Sequence, residues 1–240
     1  MFFYLAKKIL LNLVPEKYLS AINYHIMNKR LKNSFDIKNG NIIFDIGAHN
    51  GESIEMFNNL KKNIIIHSFE PNDECFKKLE KKYNNYKNII LNNYAVTNKA
   101  GKSTFYINNH STTSSFLKIN RKFKYGNFIF RNIKKKLVNT CKLDDYCKEK
   151  KIHRIDLLKI DVQGFEDIVL EGAKNLIKSR RIKKIILEIT LAKHYERSCN
   201  FFKIEKLLLK HGYFLKNLSS PAFDTINSKI LWIDALYSQR

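Results

Sequence analysis

The stretch from Asn41 to Ser53 constrains the chain more than any other. Ile42, Ile43 and Phe44 run into Asp45, Ile46 and Gly47, and a short polar segment, Ala48-His49-Asn50, leads to Gly51. Consecutive apolar positions between Gly40 and Gly47 suit a strand buried on both faces, the environment of a parallel sheet. Gly47 and Gly51 let the backbone turn tightly and lie against a ligand. Beyond them Ile54, Phe57 and Leu60 share one side of an amphipathic helix. Strand, glycine turn and helix predict the first unit of a nucleotide-type α/β fold, with a small polar ligand in the crevice at the turn.

Glu70 narrows the ligand. It ends a second apolar run, Ile64 to Phe69, and lies 19 residues beyond Gly51. An acid at the tip of the second strand is where such folds grip ribose hydroxyls. Pro71 keeps Glu70 out of helical backbone and suits the first turn of the next helix. The turn departs from G-x-G-x-x-G and lacks the second glycine that lets a pyrophosphate approach. A ligand with adenosine but no phosphates, such as S-adenosylmethionine, fits it better than a dinucleotide.

From Gly40 onward strand and helix alternate, the pattern of a parallel sheet covered on both faces. The expected elements are a helix to about Tyr83, a third strand from Asn88 to Val96, an added strand from Ser103 to Ile107, and a strand running into a short helix between Leu137 and Cys147. A fourth core strand, Ile155 to Val162, carries Asp161 at its end, and a helical stripe follows from Phe165 to Ile177. The fifth, Ile185 to Ile189, carries Glu188. A helix from Phe201 to His211 closes on Gly212, and Tyr213–Leu218 and Lys229–Tyr237 are the last two strands. Asn108 to Arg131 is polar, then basic and aromatic, with no clear structure; a segment of that kind is expected to act as a lid on the acceptor side.

Residues 1–38 read as a helical appendage to a domain spanning 39–240. The apolar stretch Met1 to Val14 is too short to cross a bilayer and lacks the features of a secretory signal. It suits an amphipathic helix packed on the domain, or one making peripheral membrane contact. Forty-four per cent apolar residues in 240 exclude wholesale disorder and allow one full core. The net charge of +22 suits nucleic acid, anionic lipid or an acidic substrate. The lysines are spread over nearly every expected helix, however, so a compositional bias explains them and nucleic acid is not the expected partner. Cys75, Cys141, Cys147 and Cys199 form no C-x-x-C pair, which argues against a zinc site and for a reduced, cytoplasmic setting.

Asp45-Ile46-Gly47-Ala48-His49-Asn50-Gly51, Phe69-Glu70-Pro71, the block Asp156 to Glu166 and the block Val169 to Ala173 together resemble the FkbM-type methyltransferases. The likeness covers roughly residues 41 to 190, and the third block is its most specific part. The family usually carries Glu where this chain has Gln163, and Asn or His where it has His49. The resemblance implies a Rossmann-like class I methyltransferase fold, a seven-stranded mostly parallel sheet with helices on both faces. It implies S-adenosylmethionine as cofactor, contacted by Asp45, Gly47, Ala48, His49, Gly51 and Glu70, with Asn93 and Ala95 bordering the adenine. It also implies O-methylation of a hydroxyl on a sugar, glycan or secondary-metabolite acceptor.

Asp45, Glu70, Asp161 and Glu188 converge from four strand tips. Four acids on one edge repel unless a cation, a sulfonium or hydroxyl donors lie between them. Asp161 is the first candidate for general base, followed by Glu188 and Glu166; Asp161 could equally serve as a helix-terminal acid, and His110 offers a base from the loop. A divalent metal held by Asp161 and Glu188 is chemically compatible, though the sequence does not require one. An RNA methyltransferase is the alternative function, but no N/D-P-P-Y/F motif is present. A non-enzymatic protein on a decayed fold is at odds with an intact glycine turn and all four acids.

Overall fold

In a computed structural model the described residues are 33–61, 63–120, 130–219, 221–224 and 229–240. The N-terminal stretch 1–14, with its expected amphipathic helix, lies outside them. The backbone divides into two units, Met1–Asp36 and Ile37–Arg240, and the second carries the sheet.

The chain begins with β1 (Ile42–Ile46), α1 (Glu52–Asn58), β2 (Ile65–Phe69), α2 (Asp73–Tyr83) and β3 (Ile89–Asn92). It then leaves the sheet for β4 (Ala95–Val96), β5 (Gly101–Asn108) and β6 (Asn132–Cys141), which pair with one another as a small side sheet. It returns through α3 (Leu143–Glu149) to β7 (Ile155–Ile160), α4 (Glu166–Gly172), α5 (Lys174–Lys178) and β8 (Ile182–Thr190). Last come α6 (Phe201–Lys210), β9 (Tyr213–Leu218), β10 (Ala222–Phe223) and β11 (Ile230–Gln239).

The strand order of the main sheet is β3-β2-β1-β7-β8-β11, with β9 and β10 both on the outer side of β11. Strands β3 to β8 on this path run parallel, and β11 is antiparallel to β8. Because β9 and β10 share one position, the eight strands fill seven places, which is the expected class I arrangement. The chain reverses its direction of travel across the sheet between β1 and β7, and an open sheet forms its ligand crevice at that point, beyond the carboxyl ends of the strands.

Residues paired across strands share a face. One face carries Phe44, Phe69, Leu158, Ile160, Ile185 and Leu187, all fully buried and packed against Leu143, Val169, Leu176 and Leu208 of the covering helices. Burial of each such side chain contributes roughly 1.5–3 kcal/mol. The opposite face is apolar at Ile43, Ile66 and Leu157 and turns polar toward the carboxyl ends, where the same alternation places Asp45, Lys159, Glu188 and Asp234.

Several boundaries differ from those the sequence suggests. The third strand is not continuous to Val96: the Asn92 and Asn93 amides donate to the carbonyls of Ser68 and Glu70, both at 3.0 Å, and Ala95 then pairs with Thr140 in the side sheet. The fourth strand stops at Ile160, since Gln163 and Gly164 adopt φ of 58° and 91°. The helix after it breaks at Ala173, where the Asp144 carboxylate accepts from the Asn175 and Leu176 N–H groups at 2.9 and 3.0 Å and starts a new helix. The described part of the segment after Asn108 carries a 3-10 turn at Ser111–Thr113 and bridges from Ser115 to Tyr106 and from Ile119 to Tyr195, and residues 121–129 of the expected lid lie outside the described residues.

Gly172 ends α4 where a Cβ would lie 2.0 Å from the Thr97 carbonyl oxygen. In an ordinary helix Gly→Ala stabilises by roughly 1 kcal/mol. Here the sign reverses, and Gly172→Ala should destabilise the chain by roughly 1–3 kcal/mol. Chemical denaturation measures this directly; a variant as stable as the parent would mean that the α4 contact with Thr97 is not tight.

Candidate active site

The turn after β1 depends on two glycines. Gly47 sits at φ 86°, and a Cβ there would lie 1.9 Å from the carbonyl oxygen of Asp161. The tips of β1 and β7 can therefore touch only because position 47 has no side chain. Gly51 sits at φ 92° against Tyr83 and Leu79. Between them His49 holds φ 50°, a conformation that costs a non-glycine residue free energy. Its N–H donates to Glu70 Oε2 at 2.8 Å, and its Nε2 lies 2.9 Å from Ser111 Oγ. Ala48 is buried and uses only its backbone, donating to the Phe69 carbonyl at 3.1 Å.

Glu70 is buried at the tip of β2, and its Oε1 accepts from the Asn72 N–H at 2.8 Å. Each carboxylate oxygen holds one backbone donor and keeps accepting capacity for a ligand hydroxyl. Burial pushes Glu70 up to about 7, against the pull of the Asn72 and His49 amides. Asn93 donates to the Glu70 carbonyl and so flanks this corner. Ala95, by contrast, packs with Phe105 and Val138 in the side-sheet core.

Lys159 joins the other acids. Its ammonium lies 3.0 Å from Asp45 Oδ1 and 3.6 Å from Asp161 Oδ2, and donates to the Gly47 carbonyl at 3.1 Å. Burial would lower its pKa, but the charges of Asp45 and Asp161 outweigh it and hold the lysine above its ordinary range. Burial raises Asp45 in turn, opposed by Lys159. Asp45 has no exposure at all, whereas the Asp161 side chain is 36% exposed, so Asp161 is the acid of this trio that can meet a ligand.

Glu188 continues the row. It lies opposite Asp234 in the β8–β11 pairing, and the Gln163 amide reaches it from Asp161, with Nε2 at 2.9 Å from Asp161 Oδ1 and 3.0 Å from Glu188 Oε1. Burial, then the charges of Asp161, Asp234 and Glu166, push Glu188 well above the carboxylate range. Burial and Asp161 bring Asp234 to about 6. Glu166 is fully buried, and its Oε1 accepts from the Val162 and Gly164 amides at 3.2 and 3.0 Å, so it shapes the turn that carries Gln163. Burial lifts it to about 7.

The segment Asn108–Asn120 straps across this edge. Ser111 meets His49, the Ser115 hydroxyl donates to the Gln163 carbonyl at 2.9 Å, and the Tyr195 hydroxyl reaches both the Thr113 carbonyl at 2.9 Å and Gln163 Oε1 at 3.1 Å. His110 stands instead beside Phe130, ring centroids 5.3 Å apart. Lys159, Asp234, Tyr195 and Ser115 are not singled out by sequence reasoning. Lys159 and Asp234 carry a usable signal, a charge on the same strand face as a strand-tip acid; Tyr195 and Ser115 carry none, because their partners are brought to them only by the fold. Among the described residues no three His, Cys, Asp or Glu side chains are grouped to hold a metal ion. Between Asp161 and Glu188 an amide stands instead. For S-adenosylmethionine the residues do fit, with a tight glycine turn that keeps side chains off the strand tips, a buried acid with free lone pairs and an acidic edge for a sulfonium.

A family model described as the methyltransferase FkbM domain matches residues 45–215. The 2-O-methyltransferase NoeI of Sinorhizobium fredii is 24% identical over 148 residues, covering 59% of this chain and 61% of NoeI, so the chain spans about three-fifths of that relative's length. Solved structures with a similar fold include an rRNA methylase from Streptococcus thermophilus, at 11% identity over 90% of this chain and 95% of that one, with a TM-score of 0.49. Aeropyrum pernix fibrillarin with bound S-adenosyl-L-methionine is 12% identical over 83% and 67% of the two chains, with a TM-score of 0.48. With well over half of its length matched, including the Gly47–Gly51 turn, Glu70, Asp161 and Glu188, the chain belongs to the FkbM family of S-adenosylmethionine-dependent methyltransferases.

Proposed function

We propose that the chain methylates a hydroxyl group of a sugar, glycan or secondary-metabolite acceptor. The observation that carries this reading is the acidic edge: Asp161, Glu188 and Asp234 line one side of the crevice with Lys159 as the basic side chain reaching into it. Such an edge accepts hydrogen bonds from a polyhydroxylated ligand and repels phosphates, although the chain as a whole carries +22. The distant likeness to a protein named as a 2-O-methyltransferase supports the same reading.

S-adenosylmethionine supplies an electrophilic methyl group on a sulfonium. The residues of the chain supply position and a place for the proton. Glu70 would take the ribose hydroxyls on its free lone pairs, and the turn from Gly47 to Gly51 would follow the ligand closely. Holding acceptor and methyl in line can contribute roughly 7–11 kcal/mol. Asp161, open to the crevice and oriented by Lys159 and Gln163, would accept the proton of the reacting hydroxyl. Glu188, linked to Asp161 through the Gln163 amide, would help to orient that acid.

Titration calorimetry with S-adenosylhomocysteine tests the cofactor half. Hydroxyl donors bind ionised Glu70 better than protonated Glu70, so affinity should rise as pH climbs through about 7. Glu70→Ala should weaken binding at least about tenfold, or 1.4 kcal/mol, and flatten that pH dependence. Equal affinity in parent and variant would remove Glu70 from the cofactor site.

Transfer of labelled methyl to a panel of glycans, small hydroxylated compounds and RNA tests the acceptor half. Asp161→Asn should keep the fold and most of the cofactor affinity while losing on the order of 10²–10⁴ in turnover on the preferred hydroxylated acceptor. Equal turnover would leave Asp161 as a structural acid, held between Lys159 and the Gln163 amide. Methylation confined to RNA would replace the proposal by its alternative.

A further inference from the structure

Asp161 and Glu188 face each other from neighbouring strand tips, and two facing carboxylates are ordinarily held by a shared proton, a cation or convergent donors. Here both hydrogens of one amide are spent on them, since Gln163 Nε2 lies 2.9 Å from Asp161 Oδ1 and 3.0 Å from Glu188 Oε1. The orientation of the amide is settled by its surroundings: turned over, its oxygen would face two carboxylates. The other end faces the Tyr195 hydroxyl, whose single hydrogen is shared between Gln163 Oε1 at 3.1 Å and the Thr113 carbonyl at 2.9 Å. The backbone of Gln163 is held in the left-handed region at φ 58°, with its carbonyl accepting from Ser115 at 2.9 Å. Gly164 follows at φ 91°, and a Cβ there would press on Tyr195 and Leu117 at 3.1 and 3.2 Å. Strain at a residue other than Gly, Asn or Asp persists only where surroundings fix it.

We propose that Gln163 is a positioning residue that sets the Asp161–Glu188 pair from within, its amide standing where a divalent cation would otherwise be needed. The amide donates to each carboxylate but adds no positive charge, so the edge stays electronegative and open to a cationic ligand. The proposal rests on the methyltransferase reading only for the purpose of the pair, and not for its geometry.

Two variants test it without cofactor or acceptor. Gln163→Glu places a third carboxylate between the first two, and its melting temperature should rise with added Mn²⁺ while that of the parent stays constant. A parent whose melting temperature rises with Mn²⁺ would overturn the proposal, because the amide would then belong to a metal site and not replace one. Gln163→Leu removes both donors. The pair then keeps a proton to higher pH, in surroundings that also include Lys159, Asp234, Glu166 and Tyr195. A carboxyl whose folded pKa is raised loses stability as pH climbs from its unfolded to its folded value. The leucine variant should therefore lose melting temperature over a pH range reaching about one unit or more higher than in the parent. Parallel pH profiles would reduce Gln163 to a turn-filling residue. If the leucine chain fails to fold, Gln163→Met gives the same reading with an unbranched side chain. Failure of the parent to bind S-adenosylhomocysteine would count against the methyltransferase reading and leave the Mn²⁺ and pH results to decide this one.

Discussion

The structure of the site depends on one ammonium, largely but not wholly buried. Lys159 lies within 3.6 Å of two carboxylates and a backbone carbonyl. Those three acceptors come from the tip of β1, the turn after it and the end of β7, so a single side chain ties together the elements that define the crevice. Without it, Asp45 would be an uncompensated charge with no exposure, an arrangement that ordinarily costs roughly 3–5 kcal/mol. The bare glycine at position 47 serves the same junction by letting the Asp161 carbonyl pass where a Cβ would be.

From that junction the polar row spreads along one sheet face. Asp161 is bridged to Glu188 through Gln163, and Glu188 lies opposite Asp234. Burial raises Glu188 and Asp234, and Lys159 offsets part of the charge. A row built this way presents hydrogen-bond acceptors and negative potential at the mouth of the crevice, on a chain whose overall charge has the opposite sign. The strap Asn108–Asn120 then fixes the far side, through Ser111 on His49 and Ser115 and Thr113 around Gln163 and Tyr195.

Much of this was legible in the sequence, for physical reasons. Strands buried on both faces write themselves as apolar runs, and the acid that ends each run marks the carboxyl edge, so the residue pattern alone puts Asp45, Glu70, Asp161 and Glu188 on that edge. Gly47 and Gly51 announced the turn because few other residues permit it. What was not legible depends on pairing between distant segments. The third strand breaks because asparagine amides at 92 and 93 find carbonyls on β2, and Ala95 thereby goes to another sheet. Lys159 reads as a lysine in a lysine-rich chain until its alternation with Asp161 is set against the β1 register. Ser115 and Tyr195 acquire meaning only when the strap is laid over the turn that carries Gln163.

Lys159 and Asp45 act as one unit that supports the crevice, and a double-mutant cycle on unfolding free energy measures their coupling. Lys159→Met should cost roughly 3–5 kcal/mol. Lys159→Met combined with Asp45→Asn should recover most of that loss, giving a coupling energy above roughly 1 kcal/mol. Additive effects of the two substitutions, with no coupling between them, would mean that Lys159 does not support the crevice through Asp45.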